Sequence, residues 1–177
     1  DRNAATDLGE PNTKFKDLYL SGGVVFGPAS DSDVSSQTLD DYEEGSWVPI
    51  FGATDFVPGS GGGETSIAYA QQAGLYIRVG NTVFVTCNMR TNGRSGTQRS
   101  ILTVDGLPFT VNSSAGGSMA ISFAFNFTSA APLAAVAQQG STHLLLYTNE
   151  TANTHLTTSN IVASGSSVYN FSGFYVI

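Results

Sequence analysis

The stretch Gly9 to Phe26, G-E-P-N-T-K-F-K-D-L-Y-L-S-G-G-V-V-F, most limits how this chain can fold. It is too short, too glycine-punctuated and too thinly apolar to close a core by itself. Its large apolar residues, with Leu8 just ahead of them, include Phe15, Leu18, Leu20, Val24 and Phe26. They need partners from elsewhere, most economically the same segment of identical chains. Gly22-Gly23 mark a turn or a close backbone approach. The expectation is a self-associating stalk joined to a head, with residues 27 to 38 (G-P-A-S-D-S-D-V-S-S-Q-T) as a linker.

From residue 40 onward nearly every segment reads as strand. Val83 to Arg90 alternates apolar and polar residues, the period of a half-buried strand. Ile121, Phe123, Phe125 and Phe127 alternate in the same way, which predicts four large apolar groups on one face. Leu75 to Val79, Ile101 to Val104, His143 to Thr148 and Val168 to Ile177 are further strands. Turn signals lie between them, at Gly80-Asn81, Asn92-Gly93, Asp105-Gly106, Gly116-Gly117, Gly140 and Gly165. Ala130 to Gln139 is Ala-rich, as a helix would be, but Pro132 and the flanking strands argue against one. The pattern predicts an all-β fold, a β-sandwich of jelly-roll type. Asp55 to Thr65 and Asn92 to Ser100 stand out as long loops, where binding residues usually sit.

Charge divides the chain. Residues 1 to 64 carry twelve acids and three bases, a net −9, while residues 65 to 177 carry four arginines and two acids. Only 12% of all residues are charged, about half the usual share. No basic stripe exists for nucleic acid, and no apolar run approaches the roughly 18 residues of a membrane span. The single Cys87 excludes an internal disulfide framework, and its place in the Val83, Val85, Cys87, Met89 alternation marks it as a small core residue. The acids Asp40, Asp41, Glu43 and Glu44 form a collar. It is solvated, paired between subunits, or built around a cation.

Catalytic signals are thin. A glycosidase needs two carboxyls on one cleft, and beyond residue 65 only Asp105 and Glu150 are available. Asp105 sits in a turn sequence, and Asp55 with Glu64 brackets a Gly-rich loop. His143 and His155 have no third ligand at zinc-like spacing. The expectation is no enzyme, no metal and no cofactor.

Several stretches resemble bacteriophage tail-fibre and tail-spike proteins. Asp7 to Val24 looks like a segment that recurs just upstream of a terminal domain in such fibres. Leu39 to Pro49, L-D-D-Y-E-E-G-S-W-V-P, looks like the start of that domain. Tyr69 to Asn81, Gly106-Leu-Pro-Phe and Ser172-Gly-Phe-Tyr match its pattern in the same order. The resemblance implies an all-β homotrimer, with a short N-terminal intertwined stalk over residues 1–38 and a β-sandwich, jelly-roll-like head over 39–177. It implies a virion protein of the phage tail, joined to other tail proteins on its N-terminal side. The head would touch a host cell-surface glycan or outer-membrane receptor. Two alternatives are a purely structural trimerising tip or spacer, and a small polysaccharide-modifying enzyme. For glycan binding, polar-flanked rings near loops and loop cations are the candidates: Phe56, Tyr147, Arg94 and Arg99. Trp47 falls within the domain-start motif, which favours packing.

Overall fold

The structure, a computed structural model, describes residues 12, 15–21, 24–25, 38–39, 41–56, 66–96, 100–148 and 155–177. The chain divides into two compact units, Asp1–Asp40 and Asp41–Ile177. In the first, β1 (Val24–Val25) pairs antiparallel with β2 (Thr38–Leu39). Phe15, Leu18, Tyr19 and Leu20 each leave more than half of their surface open.

The second unit holds β3 (Glu43–Trp47), β4 (Ile50–Phe56), β5 (Ser66–Val79), β6 (Thr82–Ser95), β7 (Ser100–Asp105), β8 (Gly117–Phe125), β9 (Ala134–Ala137), β10 (His143–Tyr147) and β11 (Val168–Val176). All pair antiparallel in one sheet, in the order β3-β5-β6-β11-β8-β9-β10-β7-β4. The two edge strands, β3 and β4, are separated in sequence only by Val48 and Pro49. So short a link spans about 11 Å at most. The sheet therefore curls until its edges meet. Across the seam the Phe51 N–H donates to Tyr69 Oη, and Gln72 Nε2 donates to Pro49 O at 2.9 Å.

Curling encloses one core. β6 contributes Val83, Val85, Cys87 and Met89, and β11 contributes Tyr169, Phe171 and Tyr175. Leu102 and Val104 of β7 and Leu144 and Leu146 of β10 face them from the other side, all four fully buried. Burial pushes the Cys87 thiol up, out of the range of a reactive thiolate.

Ala130 to Gln139 forms no helix and contributes strand β9, as Pro132 and the flanking strands argued. Two local expectations need correction. The Asn92-Gly93 signal does not end β6, which runs on to Ser95. Between Thr91 and Arg94 the pairing register shifts, and Gly93 takes φ +92° there with its backbone against Ala163 O. A glycine at positive φ is the usual device of such a bulge.

The second correction concerns β8. Phe171 pairs with Ile121 while Asn170 pairs with Phe123, so Ser122 is an extra residue. One inserted residue reverses every side chain beyond it. Ile121 stays against the core and Ala124 takes the next inward place, whereas Phe123 and Phe125 point outward, 51% and 57% exposed. Phe127 returns to the core after Asn126, whose φ is +59°.

Because the strands alternate in direction, their termini gather at two ends of this unit. One end, called here the entrance end, holds Asp41, the Gly80-Asn81 turn, the 106–116 connection, the turn at Gly140 and the residues after β11. It is tied by Ile177 N–H to Asn81 O at 2.9 Å and Asn112 N–H to Val176 O at 2.8 Å. The far end holds the start of β5, the end of β6, the 126–133 connection and residues 155–167. The acids near the entrance end find partners within the chain. Asp41 pairs with Arg78 at 3.0 Å, Glu43 accepts from Tyr76 and Glu44 from Tyr42. Those two hydrogen bonds to carboxylates raise both phenol pKa values. Asp40 lies outside the described residues.

Candidate functional site

The connections at the far end brace one another. Thr128 N–H donates to Asn160 O at 2.7 Å, and Asn160 Nδ2 donates back to Thr128 O at 2.7 Å. Asn126 Nδ2 reaches Ser166 O at 2.9 Å, and Ser167 Oγ donates to Asn126 O at 2.7 Å. Leu133 N–H is held by Tyr147 O at 2.9 Å. Asn126 and Ser129 hold φ of +59° and +66°. For such residues that region costs on the order of 1–2 kcal/mol. Strain of this kind persists only where the surroundings over-determine it, and it clusters at functional surfaces.

Of the four residues named from the sequence, two have described side chains. Tyr147 closes β10 and lies against the His155 ring, with centroids 4.5 Å apart. His155 Nδ1 is buried with no hydrogen-bond partner. Arg94 sits near the end of β6. Its Nε donates to Ile161 O at 2.7 Å and its Nη1 to Gly96 O at 2.9 Å. An anion at Arg94 would use the donors that these carbonyls do not take. Among the described residues, Arg94 and Tyr147 share no hydrogen bond or ring contact. Phe56 ends β4 opposite Ser100, at the same end. Its side chain, and Arg99 as a whole, lie outside the described residues.

Sequence reading missed a second group, Phe123 and Phe125. Their rings stand side by side on the outer face, centroids 6.1 Å apart and planes within 14°. Register places Phe125, Val168 and Arg90 in one cross-strand row, and Phe123, Asn170 and Asn88 in the next. The Arg90 Nε donates to Ser166 Oγ at 3.2 Å. Asn170 Oδ1 is buried with no hydrogen-bond partner. Two open aromatic faces beside amides and a guanidinium can stack on a sugar ring and bind its oxygens and acidic groups. Alternation alone puts these rings on one face with Ile121 and Phe127. The extra Ser122 that turns them out has no mark in the sequence.

The other titratable candidates do not converge. Asp105 lies across from His143 at the entrance end. Thr103 Oγ1 donates to its Oδ1 at 2.6 Å, and the carboxyl fills the space that a Cβ at Gly52 would need. His143 Nε2 bonds Gln138 Oε1 at 2.6 Å, and His155 is at the far end, so β10 separates the two histidines. Among the described residues no three His, Cys, Asp or Glu side chains group to hold a metal ion. The Asp55 side chain and Glu64 lie outside the described residues. Trp47 is buried and packs in the core.

No family model, curated protein or solved structure matches the chain.

Proposed function

We propose that this chain is the distal, receptor-binding module of a bacteriophage tail fibre, a homotrimer whose sandwich-like head recognises a host cell-surface glycan. The observation that carries the reading is topological. The chain enters the second unit at one end, while Phe56, Arg94, Tyr147 and the outward Phe123-Phe125 pair collect toward the opposite end. A fibre tip needs that polarity, attachment at one end and contact at the other. The braced, strained connections there supply a preformed surface, which lowers the ordering cost of binding. The tail-fibre-like motifs and the exposed apolar side chains of the first unit support the fibre assignment. Three shallow sites per fibre would act through avidity.

The test is binding of the full chain to a panel of bacterial strains and to their extracted surface polysaccharides. We expect binding to a subset of strains that the matching soluble polysaccharide abolishes. Phe125→Ser should weaken binding at least tenfold, about 1.4 kcal/mol. Its side chain is already open, so the unfolding free energy should change by less than about 1 kcal/mol. The structural-tip reading gains from Arg94, whose guanidinium braces two carbonyls. It would prevail if no strain or polysaccharide is bound. Release of reducing sugar or acetate would instead mark an enzyme.

A further inference from the structure

The outer face of the second unit carries an apolar row that stands exposed among the described residues. Ile77 of β5 pairs with Phe84 of β6, Phe84 with Phe174 of β11, Phe174 with Ser118 of β8, and Ser118 with Val136 of β9. Leu75 flanks this row, 64% exposed, and Phe84 and Phe174 are each about half open. Leu75, Ile77, Phe84 and Phe174 line a groove of about 410 Å³ with Thr86 and Ser172. The row lies toward the entrance end, two residues from the ends of β5, β6 and β11.

We infer that this face packs against sister copies of the same chain, an assignment that rests on the homotrimeric reading above. Three arguments select a second copy as the occupant. The first is area. Leu75, Ile77, Phe84, Phe174 and Val136 are 39% to 64% exposed and adjoin, so together they offer on the order of the few hundred Å² that marks an interaction patch. The small neighbours Ser46, Thr86, Ser118, Ala120 and Ser172, all exposed, extend the face further toward the roughly 800 Å² that one partner contributes to a stable pair.

The second argument is charge. The chain carries a net charge of −7, so copies repel unless they meet on uncharged surface. The row and its lining contain no group charged at neutral pH, the Tyr76 phenol being held protonated by its hydrogen bond to Glu43, and Glu44 lies beyond the β5 edge of the row, opposite Ile77. A charge-free core within a wetter rim is what protein interfaces show. The third argument is connectivity. Asp41, where the unit begins, is ion-paired to Arg78, the neighbour of Ile77. Chains joined through residues 1–40 would therefore release their second units beside this row, at high effective concentration.

The test uses the full chain with two substitutions read separately. Phe84→Glu places a charge in the middle of the row and should lower the mass seen by analytical ultracentrifugation, or raise the dissociation midpoint at least tenfold. Leu75→Cys introduces a thiol on open surface, and in the assembled protein its maleimide labelling should be at least tenfold slower than that of an Asn92→Cys control. The native Cys87 is buried and adds little background. A thiol at 75 that labels as fast as the control in an intact oligomer shows the face vacant, or held for another partner. That overturns this assignment and leaves the trimer standing. A wild-type chain that sediments as a folded monomer at micromolar concentration overturns both.

Discussion

Replacing Trp47 with alanine is expected to lower the unfolding free energy of the second unit by about 3–5 kcal/mol, the range for removing a buried large aromatic. The indole is 6% exposed although it belongs to an edge strand. Its Nε1 donates to Thr86 O at 3.2 Å, and its ring meets Phe171 with centroids 6.4 Å apart. It also covers Gly74, where any Cβ would run into the ring. Trp47 is the last residue of β3, immediately before the Val48-Pro49 link that closes the sheet. Losing it leaves a cavity and loosens the seam together. Urea denaturation followed by far-UV circular dichroism measures the cost, because this residue is the chain's single tryptophan and the fluorescent probe disappears with it. Gly74→Ala should destabilise the wild type by about 1–3 kcal/mol and cost much less once Trp47 is alanine, a coupling that a double-mutant cycle reads directly. A Trp47→Ala cost below about 1 kcal/mol would show that the seam does not depend on the indole.

The same residue shows what the sequence could reveal. Trp47 was legible as packing through the resemblance of Leu39 to Pro49 to a domain start. The strands were legible for a local reason. In β6 the buried residues fall at every second position from Val83 to Met89, so period and burial coincide. The turns at Gly80 and Gly140 were legible because both adopt positive φ. Closure of the sheet was not. It follows from β3 and β4 being the two edges, and pairing order is set by contacts distant in sequence. The β8 reversal was hidden for a different reason. A bulge is a one-residue mismatch between two strands, and neither strand alone contains it. The candidate site suffered most from this, since Phe123 and Phe125 became ligand candidates only after the register was known. Arg94 shows the opposite failure. Its composition and loop-like surroundings advertised a free cation, while the carbonyls of Ile161 and Gly96 that occupy two of its donors come from backbone geometry.

Alkaline pH is expected to unfold this protein well before a typical surface tyrosine pattern would require. Burial raises Tyr69 to about 12, only partly offset by its hydrogen bond with the Phe51 backbone, with Asp105 adding repulsion. Burial likewise raises Tyr175 to about 12, against the hydrogen bond from Phe109 N–H. The Tyr169 phenol and the Cys87 thiol are pushed up further, both chiefly by desolvation. In the unfolded chain phenols release their protons near pH 10, and the thiol earlier. The folded state therefore binds more protons than the unfolded state from about pH 9 upward, so stability falls as pH rises. The contribution is fully present below the unfolded pKa values and is lost through the folded ones. Each fully retained proton steepens the loss by about 1.4 kcal/mol per pH unit. Tyr69 contributes less, because part of it stays open to water. Between pH 8 and pH 11.5 the combined loss should reach several kcal/mol, and phenolate absorbance should rise in two steps, the second coinciding with loss of circular dichroism. Tyr169→Phe isolates one of these phenols. The Tyr169 hydroxyl is buried with no hydrogen-bond partner, so its removal should leave stability at neutral pH unchanged or slightly higher. It should also flatten the alkaline slope by about one proton. If all seven tyrosines titrate together near pH 10 while the fold persists, the buried-phenol account of this core is wrong.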